Sequence, residues 1–208
     1  MNIISNNCAG ADVYKLLKQP YNNPFMWCCT FPDDMVHLIE NFFTIKLYNV
    51  IPIPLEKSIA DANNYYEYRD DMFGLSIDNQ VNTYFVHYLF DNEKIEPYKD
   101  GVNVFYYRNY EYIYEKYLER LSRMFKCTEP PSFLLVTYRR QGWTKSKISR
   151  LEHLNTLFKV FIITDVRINP KQPNIMVKYN FQLNNEQNMF PIKQVNTYLP
   201  DIMGFFGI

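Results

Sequence analysis

The chain has 208 residues, 47% of them hydrophobic and 21% charged, which suits a globular protein able to bury one substantial core. Lysine plus arginine and aspartate plus glutamate both total 22, so no global field recruits nucleic acid or an anionic membrane, and no nucleic-acid partner is expected. Four cysteines (Cys8, Cys28, Cys29 and Cys127) in a chain too large to need stapling, without an evident secretory signal, read as reduced thiols of a cytoplasmic protein. No run reaches the roughly 20 apolar residues that a transmembrane helix requires.

Met1 to Ile4 is a short apolar run, and Asn6 or Asn7 can cap a helix carrying Val13, Leu16 and Leu17 at helical spacing, which predicts strand, tight turn and helix. The stretch KQPYNNPF breaks the chain. In TFPDDMVHLIENFF, Pro32 and two aspartates suit a first helical turn, and Met35, Leu38, Ile39 and Phe42 form one face of a helix ending near Phe43. Residues 51–74 lack periodicity and read as loop. NTYFVHYLF is rich in strand formers and sets Phe85, His87 and Leu89 on one face.

YEYIYEKYLERLSRMF is the clearest helix, with Tyr114, Tyr117, Leu118, Leu121 and Phe125 on one side and an i to i+4 pair between Glu119 and Arg123. FLLVTY and FKVFIIT, separated by a helix from about Ser146 to Leu157, imply two parallel strands joined by a crossover. NIMVKYNFQL alternates like an edge strand, and residues 183–208 make an apolar C-terminal docking tail. The fold class is α/β: a single domain over residues 1–208 with a mixed, partly parallel sheet flanked by helices.

Ligands of parallel sheets bind beyond the carboxyl ends of the strands. Cys8 follows the first strand, Arg139 and Arg140 follow FLLVTY, and Asp165 follows FKVFIIT. A helix N-terminus favours thiolate over thiol and can hold an oxyanion, so Cys8 there is a candidate nucleophile, with Ala9, Gly10 and Ala11 leaving the helix end open. The plainer alternative makes Cys8 a small packing residue of the turn. His87 is the best partner among three histidines, although a strand histidine between apolar neighbours also serves as a core residue. Asp91 or Asp165 is the carboxylate that would orient it.

Arg139 and Arg140 are candidates to hold an anionic substrate group. Asn6, Asn7 and Gly10 at the helix start are candidates to contact substrate, or the phosphate of a nucleotide sugar. Adjacent Cys28 and Cys29 lack the spacing of a zinc site, and neither a Walker loop nor GxGxxG is present, so no metal and no cofactor is expected.

The opening ISNNCAGADVYKLLKQPYNNPFMWCCTFPDDMVHLIENF resembles a bacterial family of unknown function labelled exopolysaccharide biosynthesis proteins. The resemblance rests on Ser5, Asn6, Asn7, Cys8, Gly10, Tyr14, Tyr21, Asn22, Pro24, Phe25, Pro32, Asp34, Glu40 and Asn41, then on His87 with Tyr88 and on Arg120 with Arg123. A related family labelled papain-like cysteine peptidases is similar in order, but has aspartate where this chain has Met26. The resemblance implies a Cys8–His87 pair and a substrate among cell-surface polysaccharide precursors. The expected activity is thiol-dependent acyl or group transfer, or hydrolysis, on a glycan or acyl small molecule. The alternatives are a non-catalytic scaffold of polysaccharide assembly and a nucleotide-sugar-dependent transferase. A papain-like core would pack the cysteine helix on an antiparallel sheet, whereas residues 133–164 read as a parallel unit.

Overall fold

A computed structural model describes residues 1–26, 28–54, 57, 73–85, 102–137, 142–153, 157–180, 183 and 191–208. The strands fall into two four-stranded sheets. The first contains β1 (Ile3–Ser5), β6 (Ser132–Val136), β7 (Val160–Thr164) and β8 (Ile175–Tyr179), in that order and all parallel. The second contains β2 (Cys28–Thr30), β5 (Val81–Phe85), β4 (Phe73–Ile77) and β3 (Val50–Pro52), in that order and all antiparallel. The protein is α/β, with parallel and antiparallel pairing segregated rather than mixed in one sheet.

The parallel sheet is covered on both faces, as its unbroken apolar strands require. Alternation along β6 sends Leu134 and Val136 to one side and Phe133 and Leu135 to the other. On the first side Ile3, Leu134, Val136, Phe161 and Ile163 meet α1 (Ala9–Leu16) and α5 (Pro191–Phe206). The C-terminal segment therefore docks as a helix, with Val195, Ile202 and Phe206 inward.

On the second side lie α2 (Pro32–Glu40), α4 (Lys145–Glu152), the antiparallel sheet and one face of α3 (Val102–Phe125), which contributes Ile113, Tyr117, Leu121 and Met124. Arg150 of α4 meets Glu40 of α2 with two hydrogen bonds. The helix of YEYIYEKYLERLSRMF is present but begins earlier, at Val102, and its Phe125 is 62% exposed rather than inward. Predicted boundaries shorten elsewhere: α2 stops at Glu40, where Asn41 takes over the last carbonyls by bonding His37 O, and α4 stops at Glu152.

Residues 51–74 were expected to be loop, but Val50–Pro52 and Phe73–Ile77 are strands. Their partner and turn explain this: Asp78 and Asn79, with φ of 52° and 56°, build a tight hairpin from β4 into β5, and β4 then templates β3. Asp78 closes that corner by accepting hydrogen bonds from Lys46 N, Asn49 and Gln80, which hold its carboxyl below the usual range.

Candidate functional site

The carboxyl edge of the parallel sheet is where the chain gathers its helix starts. α1 follows β1 and α4 follows β6, so each begins at that edge. α5 begins there too, because Asn180, just past β8, donates to Gln194 Oε1 at 2.7 Å near the start of that helix. At its other end α5 closes on the amino edge, where Lys159 donates to Phe206 O at 3.3 Å.

The turn from β1 into α1 is locked from several sides. Asn6 mimics a backbone unit beside β6: its Nδ2 donates to Val136 O at 3.1 Å and its Oδ1 accepts from Val136 N at 2.8 Å. Its own carbonyl accepts from Thr30 N at 2.9 Å, which ties the turn to β2. Asn7 adds a second donor to Val136 O at 3.0 Å and accepts from Ala9 N at 3.0 Å, so it closes the first exposed amide of the helix. Gly10 is required by contact, since a Cβ there would stand 2.9 Å from Ser5 Cβ.

β1 is an edge strand, and side chains cap its outer edge in place of another strand. Ile3 N donates to Tyr14 Oη at 3.0 Å, and Ile3 O accepts from Asn23 Nδ2 at 2.7 Å. The Tyr14 hydroxyl also meets Asn22, and burial pushes it up to about 12. Arg123 donates to Tyr21 O at 2.8 Å, while Arg120 lies over the Tyr21 ring at 5.6 Å with its guanidinium lowered to about 10 by burial. Much of the opening motif is thus architecture around one turn. Met26, where the papain-like pattern has aspartate, is buried in the apolar layer under α1.

Cys8 is different. Ser5, Asn6, Asn7, Ala9, Gly10 and Ala11 are buried, whereas Cys8 is half-buried at the mouth of α1. Its backbone is helical (φ −62°, ψ −10°), and its carbonyl accepts from Asp12 N at 3.0 Å, so Cys8 and Asp12 stack one turn apart on one helix face. Asp12 is only 6% exposed and takes no hydrogen bond from any described residue. Burial raises its carboxyl to about 6, against a smaller opposing pull from Lys15. Sequence reasoning passed over Asp12; the signal was a carboxylate set among Ala9, Ala11 and Val13, small and apolar residues that are all buried.

Further along the edge, Thr137 is 5% exposed and its Oγ1 has no hydrogen-bond partner among the described residues. Asp165 is half-buried just past β7, with Thr164 Oγ1 at 3.5 Å. Cys8 and Asp165 therefore follow parallel strands at one edge, separated by β6. His87, Asp91, Arg139 and Arg140 lie outside the described residues. Cys28 and Cys29 are buried in β2, where burial pushes the Cys28 thiol up to about 11, and no metal-binding cluster of His, Cys, Asp and Glu occurs among the described residues. None of the described helices is long and apolar enough to cross a membrane.

No curated protein matches the chain. A family model does, that of a domain of unknown function, DUF1919, and the match runs over residues 1–198, taking in the Cys8 turn, both sheets and the start of α5. The chain belongs to the DUF1919 family.

Proposed function

We propose that the protein is a cytoplasmic thiol enzyme that transfers or hydrolyses an acyl or related group on a cell-surface polysaccharide precursor, with Cys8 as nucleophile. The observation that carries this reading is the contrast within one turn: Cys8 reaches the surface at a helix start, while its neighbours are buried and hold the turn in place. A thiolate at that position meets the positive end of α1, and a developing oxyanion beside it meets the same field. In this reading His87 is the base, Asp165 or Asp91 orients it, and Arg139 or Arg140 holds an anionic group of the substrate. The polysaccharide precursor comes from the resemblance of the opening motif.

Asn6 and Asn7 act here through the fold. Their amides bind Val136, which fixes the register of the Cys8 turn against β6, rather than being held ready for a nucleotide phosphate. That geometry favours the thiol reading over a nucleotide-sugar transferase.

The test is the pH dependence of iodoacetamide alkylation, followed by peptide mass, in wild type, Cys8→Ser and His87→Ala. Rapid labelling of Cys8 well below pH 8, slowed by His87→Ala, is expected. An ordinary thiol profile, indifferent to His87, overturns the pair and favours a scaffold in which Cys8 only packs.

A further inference from the structure

We infer that the amino edge of the parallel sheet, opposite the Cys8 turn, docks on an anionic lipid surface. Eight large hydrophobic side chains are exposed among the described residues, and five of them, Leu16, Phe43, Phe125, Leu157 and Ile208, gather at this edge. The fold places each one there. Phe43 stacks on Phe158 at 5.3 Å, and Leu157 and Phe158 immediately precede Lys159 and β7. Ile208 follows Phe206, whose carbonyl accepts from Lys159. Leu16 ends α1, which runs back from the carboxyl edge until the Tyr14 hydroxyl meets Ile3 N and Met1 O at the start of β1. Phe125 ends α3, and the Cys127 thiol just beyond it lies 3.4 Å from Asn22 Nδ2, which donates in turn to Met1 O.

Lysines lie among these apolar side chains. Lys15, Lys18, Lys126, Lys159 and Lys171 are exposed at the same edge, and none forms an ion pair with a described residue, whereas Lys116, Lys147 and Lys178 elsewhere each meet a carboxylate. Described acidic groups at this edge are fewer: Glu129 is exposed, Glu40 is paired with Arg150, and the half-buried Glu152 accepts from Lys171 N. A chain without net charge therefore carries a local excess of positive charge on one edge.

That combination selects lipid over protein. The core of a protein interface is contiguous and depleted in lysine, whereas here the apolar side chains come from five separate segments with lysines between them. A second copy meeting this edge with its own would set lysines against lysines. An anionic leaflet has no such conflict: phenylalanine and leucine side chains enter the acyl boundary, lysine stems lie along it, and their ammonium groups meet the phosphates. The Cys8 turn, at the far end of strands of up to five residues, then stands about 17 Å above the lipid and stays open to water. The inference is independent of the role of Cys8.

The test is cosedimentation of the whole chain, at physiological ionic strength, with vesicles of phosphatidylcholine alone or with about a third of phosphatidylglycerol. Wild type is compared with Phe43→Ser/Phe125→Ser, with Lys126→Gln/Lys171→Gln, and with Tyr48→Ser, which removes an equally exposed aromatic beside β3. Circular dichroism checks folding; Phe43 and Phe125 are 68% and 62% exposed, so their loss leaves the core intact. Wild type and Tyr48→Ser are expected to bind the anionic vesicles at least about tenfold more tightly than the neutral ones. The lysine pair lowers affinity for anionic vesicles about 25-fold, about fivefold for each lysine, and leaves the weak binding to neutral vesicles unchanged. The phenylalanine pair lowers binding to both kinds about tenfold or more. Failure of wild type to sediment with anionic vesicles overturns the inference, as does vesicle binding that is indifferent to either double variant. A concentration-dependent dimer in sedimentation velocity, lost in Phe43→Ser/Phe125→Ser and unaccompanied by vesicle binding, overturns it too and assigns the edge to a second copy.

Discussion

Replacing Asp12 by asparagine should stabilise the protein at neutral pH, relative to acid pH, and the size of the effect follows from burial. Burial raises the carboxyl to about 6 in the folded chain against an ordinary value of 3.8, a rise of roughly two units; at about 1.36 kcal/mol per unit, halved for a carboxyl that water still reaches, this is about 1–2 kcal/mol. A raised acid binds more protons folded than unfolded, so wild-type stability falls as pH climbs from about 4 to about 6 and levels off above 7. Asparagine has no such dependence. Urea unfolding followed by circular dichroism at pH 4, 5, 6, 7 and 8 reads the difference between the two proteins. It is expected to grow in favour of Asp12→Asn by about 1–2 kcal/mol in all across that window and then to stay constant. The buried amide adds an offset of its own, so the change with pH is the quantity to read. A difference independent of pH would refute the reasoning, and a difference that grows in favour of wild type would mean that the carboxylate has a strong donor in the folded state.

The turn that carries Cys8 gives three further expectations. Asn6→Ala removes two bonds to Val136 and leaves its buried N–H without a partner, a loss of about 2–4 kcal/mol by chemical denaturation; a loss under 0.5 kcal/mol would show that the turn is held elsewhere. Gly10→Ala forces its Cβ to within 2.9 Å of Ser5 Cβ, which costs about 1–3 kcal/mol and lowers the melting temperature. Tyr14→Phe strips Ile3 N of its acceptor and costs about 1–2 kcal/mol, with faster hydrogen exchange at that amide as the specific sign. Among the four thiols, Cys28 and Cys29 are 1% and 2% exposed, so Ellman's reagent should reach Cys8 and Cys127 in the native protein and the other two only after unfolding.

Local sequence was sufficient for elements with a strong period and a local start. α2 is announced by Pro32 and its acidic first turn, and β6 and β7 by continuous apolar runs of strand length. The parallel pairing of β6 with β7 and the entry of α1 straight after β1 are equally short-range consequences of strand, turn and helix. β2, β3 and β4 escaped notice because short strands take their conformation from a partner. Cys28–Thr30 and Val50–Pro52 have three residues each and become strands by pairing with β5 and β4.

By itself the sequence marks Cys8 as a thiol at a helix start and places Asp165 beyond a strand end. It also carries the pattern of Asn6, Asn7, Gly10, Tyr14 and Asn22, without saying whether these residues touch a ligand or the fold. Only the tertiary structure divides them, because the partners of Asn6 and Asn7 lie about 130 positions away at Val136. Burial is likewise non-local: Asp12 reads as an ordinary acidic residue in the first turn of a helix. Once α1 packs against the sheet and α5, its carboxyl loses part of its water, and its affinity for the proton rises accordingly.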